Sequence, residues 1–136
     1  ENVLTPLTIN MFYFCDPDGK EDYVQNRNPM EKDERTPYLG RFRFERIRAV
    51  DSEYAFGYFL GLPENPIASI EIVDSFFSMK KDAGKGRPVM ALNVPEVSKV
   101  GFVFENVGRV VFRNVQAVGY EGKEVIENGV VETNFE

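Results

Sequence analysis

The chain has no histidine and no tryptophan, and its one cysteine is Cys15. Without histidine, and with a single cysteine, the usual set of zinc ligands cannot be assembled. A lone cysteine also excludes an internal disulfide. We therefore expect a fold held by apolar packing and backbone hydrogen bonds, with no metal and no other cofactor.

Long apolar runs are also missing. No run approaches the roughly 20 residues that a membrane-spanning helix needs, and no basic segment followed by an apolar one opens the chain as in a signal peptide. Acidic residues outnumber basic ones by 22 to 16, for a net charge of −6. A negative overall field disfavours nucleic acids and anionic membranes as partners, so we expect neither. The compartment stays open, and the export signal of a secreted or periplasmic parent would lie upstream.

What the sequence does contain is a recurring phrase of the form apolar-x-apolar-x-x-apolar-x-apolar. Alternation of this kind indicates strands with one buried face, and its repetition along the chain is typical of a stacked β-solenoid. The copies run through Phe42, Phe44, Ile47 and Ala49, then Ile70, Ile72 and Phe76, then Val110, Phe112, Val115 and Ala117.

Other short strands and two loops complete the predicted all-β domain, which spans residues 1–136. A β-sandwich would also show short strands separated by turns. Three asparagines that precede a valine favour the solenoid, because such corners hold asparagines whose amides bond to neighbouring coils; they are Asn2, Asn106 and Asn114. The predicted strands cover 7–14, 40–50, 55–62, 67–79, 89–94, 100–104, 110–118 and 125–131, with a long projecting loop at 16–40 and a shorter one at 80–88.

Four segments resemble bacterial members of glycoside hydrolase family 28, the polygalacturonase-like pectin hydrolases. They read NMFYFCDPDGK at 10–20, DERTPY at 33–38, GYFLGLP at 57–63 and GFVFENV at 101–107. The resemblance extends over almost the whole chain and implies the C-terminal coils of a right-handed parallel β-helix. The chain also starts in the middle of a phrase, at Glu1-Asn2-Val3, which agrees with a fragment of a longer helix.

The same resemblance shows what is missing. The family's catalytic segments read N-T-D, D-D, G-H-G and R-I-K, and none of them occurs here. The nearest approach is Arg46-Ile47-Arg48, which lies inside a strand phrase where Ile47 is a core position. Inverting glycosidases need two carboxyl groups about 6.5–9.5 Å apart. We expect both to lie upstream, so that this chain forms one wall of the cleft for a pectin-type polysaccharide and is inactive alone.

Four residues are candidates for contacting such a polysaccharide. The resemblance places Tyr13 at the cleft edge, where a phenol can stack on a sugar and donate a hydrogen bond; packing against the next coil is the alternative. Asn10 is its companion, unless its amide joins a corner. Lys20 and Arg35, on the long loop, are cations that a uronate carboxylate would seek, although surface solubility explains them equally well.

A function of a different class also fits the pattern. The chain would then be a non-catalytic β-solenoid module that binds acidic polysaccharide or a protein partner. Its open coil end would expose apolar side chains and unpaired strand edges. Such a module is therefore expected to associate with itself through that end.

Overall fold

Strands form most of the regular structure in residues 1–14 and 16–136, the part of the chain that the computed structural model describes. Cys15, on which the disulfide argument depends, lies outside the described residues. The strands are β1 (Leu7–Asn10), β2 (Arg41–Glu45), β3 (Arg48–Ser52), β4 (Ala55–Leu60), β5 (Ile67–Met79), β6 (Val100–Glu105), β7 (Val107–Val118), β8 (Val125–Asn128) and β9 (Glu132–Phe135). A 3-10 helix (Pro17–Lys20) and a one-turn helix α1 (Asp22–Gln25) lie between β1 and β2. The predicted all-β class is confirmed.

The strands form two parallel sheets. Sheet A is four-stranded, in the order β1-β4-β6-β8, and sheet B is five-stranded, in the order β2-β5-β7-β9 with β3 beside β5. All seven ladders between the named strands are parallel. The chain passes through sheet A and then sheet B, and we call each such pass a layer. Every new layer adds the next strand to both sheets, whereas a β-sandwich is built from antiparallel pairs.

The apolar phrase lies in register across sheet B. Phe42, Ile70 and Val110 are direct partners, and Phe44, Ile72 and Phe112 follow two residues later. These side chains point between the sheets, where they meet the phenylalanines of sheet A. The fully buried rings there are Phe56, Phe59, Phe102 and Phe104 of sheet A and Phe77 of sheet B. The rings of Phe59 and Phe104 stack with centroids 4.9 Å apart, so one aromatic stack joins neighbouring layers.

The placement of Phe76 in this phrase was wrong by one residue. Phe76 pairs with Arg48 and Gln116, and the guanidinium of Arg48 lies over its ring. The inward positions belong to Ser75 and Phe77. The Ser75 hydroxyl donates to the Val73 carbonyl (2.6 Å) and accepts from the Ile47 amide (3.1 Å). A buried serine satisfied in this way interrupts the apolar pattern, which is why the alignment slipped.

Left-handed residues bend the strands of sheet B at one corner. Arg46, Asp74 and Asn114 have φ of 55°, 46° and 51° and occupy equivalent places in successive layers. The Asn114 amide donates to the Asp74 carboxylate of the neighbouring layer (2.8 Å). At another corner Asn106, also left-handed, donates to the Gly61 carbonyl (3.0 Å). Both asparagine amides therefore donate to the preceding layer, as predicted.

Several predicted boundaries change. Residues 89–94 form no strand, because Met90 and Asn93 adopt left-handed φ values of 58° and 55° and the segment folds over sheet A instead of extending its ladder. The first strand stops at Asn10, four residues early. The predicted strand at 125–131 stops at Asn128, and β9 follows unpredicted. In the described part of the chain, no helix is long and apolar enough to span a membrane.

Candidate functional site

Two segments outside the ladders cover the outer face of sheet A. One follows β1 and the other, residues 80–99, follows β5. Their apolar side chains, Phe12, Ala91 and Val94, pack on Tyr58 and Leu60 of β4. All six residues of β4 are buried, some by these segments and others by the core between the sheets. The segments are thus fixed to sheet A by their own small core.

A cavity of about 550 Å³ opens between these two segments. Phe14 lines it from the first segment, and residues 87–94 line it from the second. We call it the cover cleft. The Arg87 guanidinium donates to the Val94 carbonyl (2.9 Å) and so holds the two ends of the second wall together.

Asn10 ties the two walls to each other. Its amide nitrogen donates to the Met90 carbonyl (2.7 Å), and its amide oxygen accepts from the Phe12 backbone N–H (2.8 Å). Both ends of the amide therefore hold the protein's own backbone. Sequence reasoning weighed Asn10 as a sugar contact, and the structure gives it the role of a brace for the cleft.

Tyr13 and Lys20 are both neighbours of Phe14, and neither of them lines the cleft itself. The Tyr13 side chain, next to Phe14 in the chain, is 43% exposed. The Lys20 ammonium lies 5.8 Å from the centre of the Phe14 ring. The 3-10 helix that carries Lys20 packs tightly on the backbone of residues 13–14, and a Cβ at Gly19 would clash with it. Glycine at this position lets Lys20 approach the Phe14 ring.

Arg35 lies elsewhere. Its guanidinium pairs with Asp33 of the same loop, with Nε 3.0 Å from Oδ2, and stacks over the Tyr23 ring at 4.5 Å. Hydrogen bonds from Arg35 lower the pKa of the Asp33 carboxyl. Together with Tyr23 and Met11, Arg35 lines a separate cavity of about 200 Å³. In the described residues, no hydrogen bond or ion pair joins it to Asn10 or Lys20.

Arg27, which sequence reasoning missed, anchors the long loop. Its guanidinium lies 3.7 Å from the centre of the Phe12 ring, 3.2 Å from the Glu105 carboxylate and 3.2 Å from the Leu92 carbonyl. One side chain thereby joins the loop, the end of β6 and the second wall of the cleft. No local motif marks it, because its partners lie 65 and 78 residues away.

The acidic residues of this region belong to the long loop. Asp16, Asp18, Glu21 and Asp22 are exposed on the loop. A general acid needs a raised pKa, whereas the pKa of Asp33 is lowered. In residues 1–14 and 16–136, no group of three or more histidine, cysteine, aspartate or glutamate side chains could hold a metal ion.

Comparison of the chain with protein-family models, curated proteins and solved structures gives no match.

Proposed function

We propose that this chain is the C-terminal section of a right-handed parallel β-helix and that it binds acidic polysaccharide at the cover cleft. The parallel β-helix is supported by the strand order, because the chain alternates between two parallel sheets and adds the next strand to each in turn. Parallel strand crossovers are right-handed in about 98% of cases, which supports the handedness. The segments resembling polygalacturonase-like hydrolases make a galacturonan-type chain the leading ligand.

The observation that carries the binding proposal is the Lys20 ammonium beside the Phe14 ring at the edge of a 550 Å³ cleft. Aromatic rings offer apolar faces on which sugars stack, and a tyrosine adds a hydroxyl for hydrogen bonding. A lysine ammonium is a strong donor to a carboxylate. A uronate sugar has an apolar ring face and a carboxylate. In this proposal, Tyr13 contacts the ring face and Lys20 contacts the carboxylate.

The proposed role is binding without cleavage. Glycoside hydrolysis requires one carboxyl group to protonate the leaving oxygen and a second to activate water or attack the sugar. The acids near the cover cleft are exposed loop residues, and Asp33 is held ionised by Arg35. In a longer hydrolase, this section would supply a cleft wall and its other coils would supply the chemistry.

Binding of trigalacturonate, measured by isothermal titration calorimetry, tests this proposal. We expect Tyr13→Ala and Lys20→Gln each to weaken binding about three- to tenfold, since each removes one stacking or charged contact. Tyr38→Ala is the matched control, because Tyr38 is 70% exposed and, unlike Tyr13, has no neighbour in the chain that lines the cleft. Absence of saturable binding, or equal losses for Tyr13→Ala and Tyr38→Ala, would overturn the proposal.

A protein partner is the second candidate function, and exposed apolar side chains at the β8–β9 edge favour it. Ile126, Val131 and Phe135 are 42%, 82% and 48% exposed. Unpaired strand edges invite pairing with another chain. Light scattering across a concentration series tests self-association. A dimer that Val131→Lys dissociates into monomers would support it, and a monomer at all concentrations would argue against it.

A further inference from the structure

In the described part of the chain, no apolar loop cluster covers the outer face of sheet B. This face presents charged side chains in register across three strands. Arg41, Ser69 and Arg109 are direct neighbours on β2, β5 and β7. The next outward row is Arg43, Glu71 and Val111. Alternate residues of each strand share this face, so the two rows are adjacent.

The second row is electrically balanced. Glu71 accepts from Arg43 at 2.7 Å and from Arg113 at 2.9 Å. Arg43 also lies 3.4 Å from Glu45, and Arg113 lies 3.7 Å from Glu136. The hydrogen bonds that Arg43 donates to Glu71, and then to Glu45, raise the pKa of Arg43. Each arginine beside Glu71 already has carboxylate partners.

The first row is not balanced. Arg109 pairs with Glu132 at 3.2 Å, both side chains being about half exposed or more. Arg41 is exposed, and among residues 1–14 and 16–136 its side chain has no ion-pair or hydrogen-bond partner. A cavity of about 440 Å³ opens here, and its charged lining consists of Arg41, Arg43 and Arg109 against Glu71. This excess of positive charge stands on a chain whose net charge is −6.

We propose that Arg41, Ser69 and Arg109 form an oxyanion-binding notch. Strands in a sheet are about 4.8 Å apart, so the two arginines start about 10 Å from each other with the short serine between them. Two guanidinium forks can then approach one oxyanion from both sides, and the Ser69 hydroxyl faces it as a third donor. The ligand is a sulfate, phosphate or carboxylate group. Glu132 is an exposed partner that such an anion displaces from Arg109.

The notch is independent of the cover cleft, since it lies on the other sheet. NMR titration tests the oxyanion-binding proposal. Amide chemical shifts of the full chain are followed while sodium sulfate, and in a separate series sodium acetate, is added at constant ionic strength. We expect saturable shifts at the amides of Arg41, Ser69 and Arg109. The anion that binds more tightly identifies whether the notch prefers a tetrahedral or a planar group.

The variants separate a site from general charge attraction. Arg41→Gln is expected to weaken binding about tenfold, because a charge-assisted hydrogen bond is lost, and Ser69→Ala about threefold. Arg46→Gln is the control: Arg46 lies at the corner between β2 and β3, its side chain is 80% exposed, and its one ion-pair partner among the described residues is Glu45, at 3.8 Å. Shifts that grow linearly with both anions, or equal losses for Arg41→Gln and Arg46→Gln, would overturn the proposal.

Discussion

The outer faces of the two sheets differ although their ladders are built alike. The outer face of sheet A lies under two long segments and is apolar, with Tyr58 and Leu60 only 5% and 1% exposed. The outer face of sheet B carries arginines and glutamates that pair across the strands. Loops carry function more often than the elements they connect. The comparison therefore directs a search for polysaccharide binding to sheet A and leaves sheet B as an ionic surface with one unbalanced notch.

Substitutions in the core between the two sheets are expected to have the largest effect on stability. Phe102 is fully buried and contacts Phe56, Phe77 and Phe112. Phe102→Ala should lower the free energy of unfolding by about 3–5 kcal/mol, through lost transfer energy and a cavity. Urea denaturation followed by circular dichroism measures it. Phe135→Ala, at a ring 48% exposed, should cost about 1 kcal/mol or less; equal losses would contradict the described core.

The cover of sheet A is tested next, through Arg27. Arg27→Met keeps the apolar stem but removes the ion pair with Glu105 and the hydrogen bond to Leu92. We expect a loss of about 1–3 kcal/mol and faster amide hydrogen exchange in residues 87–94. Amide exchange in β7 should change only as much as the lower global stability requires. Unchanged exchange in 87–94 would show that Arg27 does not hold the cover.

The ionic face of sheet B should respond less. Glu71→Gln removes the carboxylate shared by Arg43 and Arg113, whose side chains are about half exposed. Exposed pairs are worth about 0.2–1 kcal/mol, so we expect a loss in that range at low salt. The loss should shrink further in 1 M sodium chloride because of screening. A loss larger than that of Arg27→Met would reverse the comparison between the two faces.

The smallest effect is local and depends on pH. Hydrogen bonds from the Gly84 N–H and then from Lys80 lower the pKa of Glu53 below its usual 4.5. A depressed pKa means that this contact stabilises the fold above pH 4.5 and is lost as the pH falls through the lowered value. The Gly84 amide shift should titrate with a midpoint below 4.5 and lose that titration in Glu53→Gln. A midpoint above 4.5 would contradict the contact.

Sequence patterns predicted the parts of this fold that depend on local alternation. The strands around Phe42, Ile70 and Val110 follow period two, so their inward faces could be read from the chain. Ser75 broke that reading, because a hydroxyl that bonds to backbone groups takes a core position without being apolar.

The site was harder to predict, because its contacts join distant residues. Lys20 lies near the Phe14 ring of the cover cleft, whereas Arg35 pairs with Asp33 two residues away. A list of the cations in the sequence does not reveal that second pairing. Residues 89–94 looked like a strand because Val89, Ala91 and Val94 are apolar. Ala91 and Val94 instead cover sheet A, and only the three-dimensional packing distinguishes covering from pairing.

The central claim is that this chain binds galacturonan at the cover cleft and does not cut it. Reducing-end release from polygalacturonate by the purified chain, in parallel with trigalacturonate titration, tests that claim most directly. The account predicts saturable binding with no release above a buffer blank. Release of reducing ends by the wild-type chain would contradict the claim. If that release is lower in Asp16→Asn, Asp18→Asn or Asp33→Asn, the chemistry lies on the long loop.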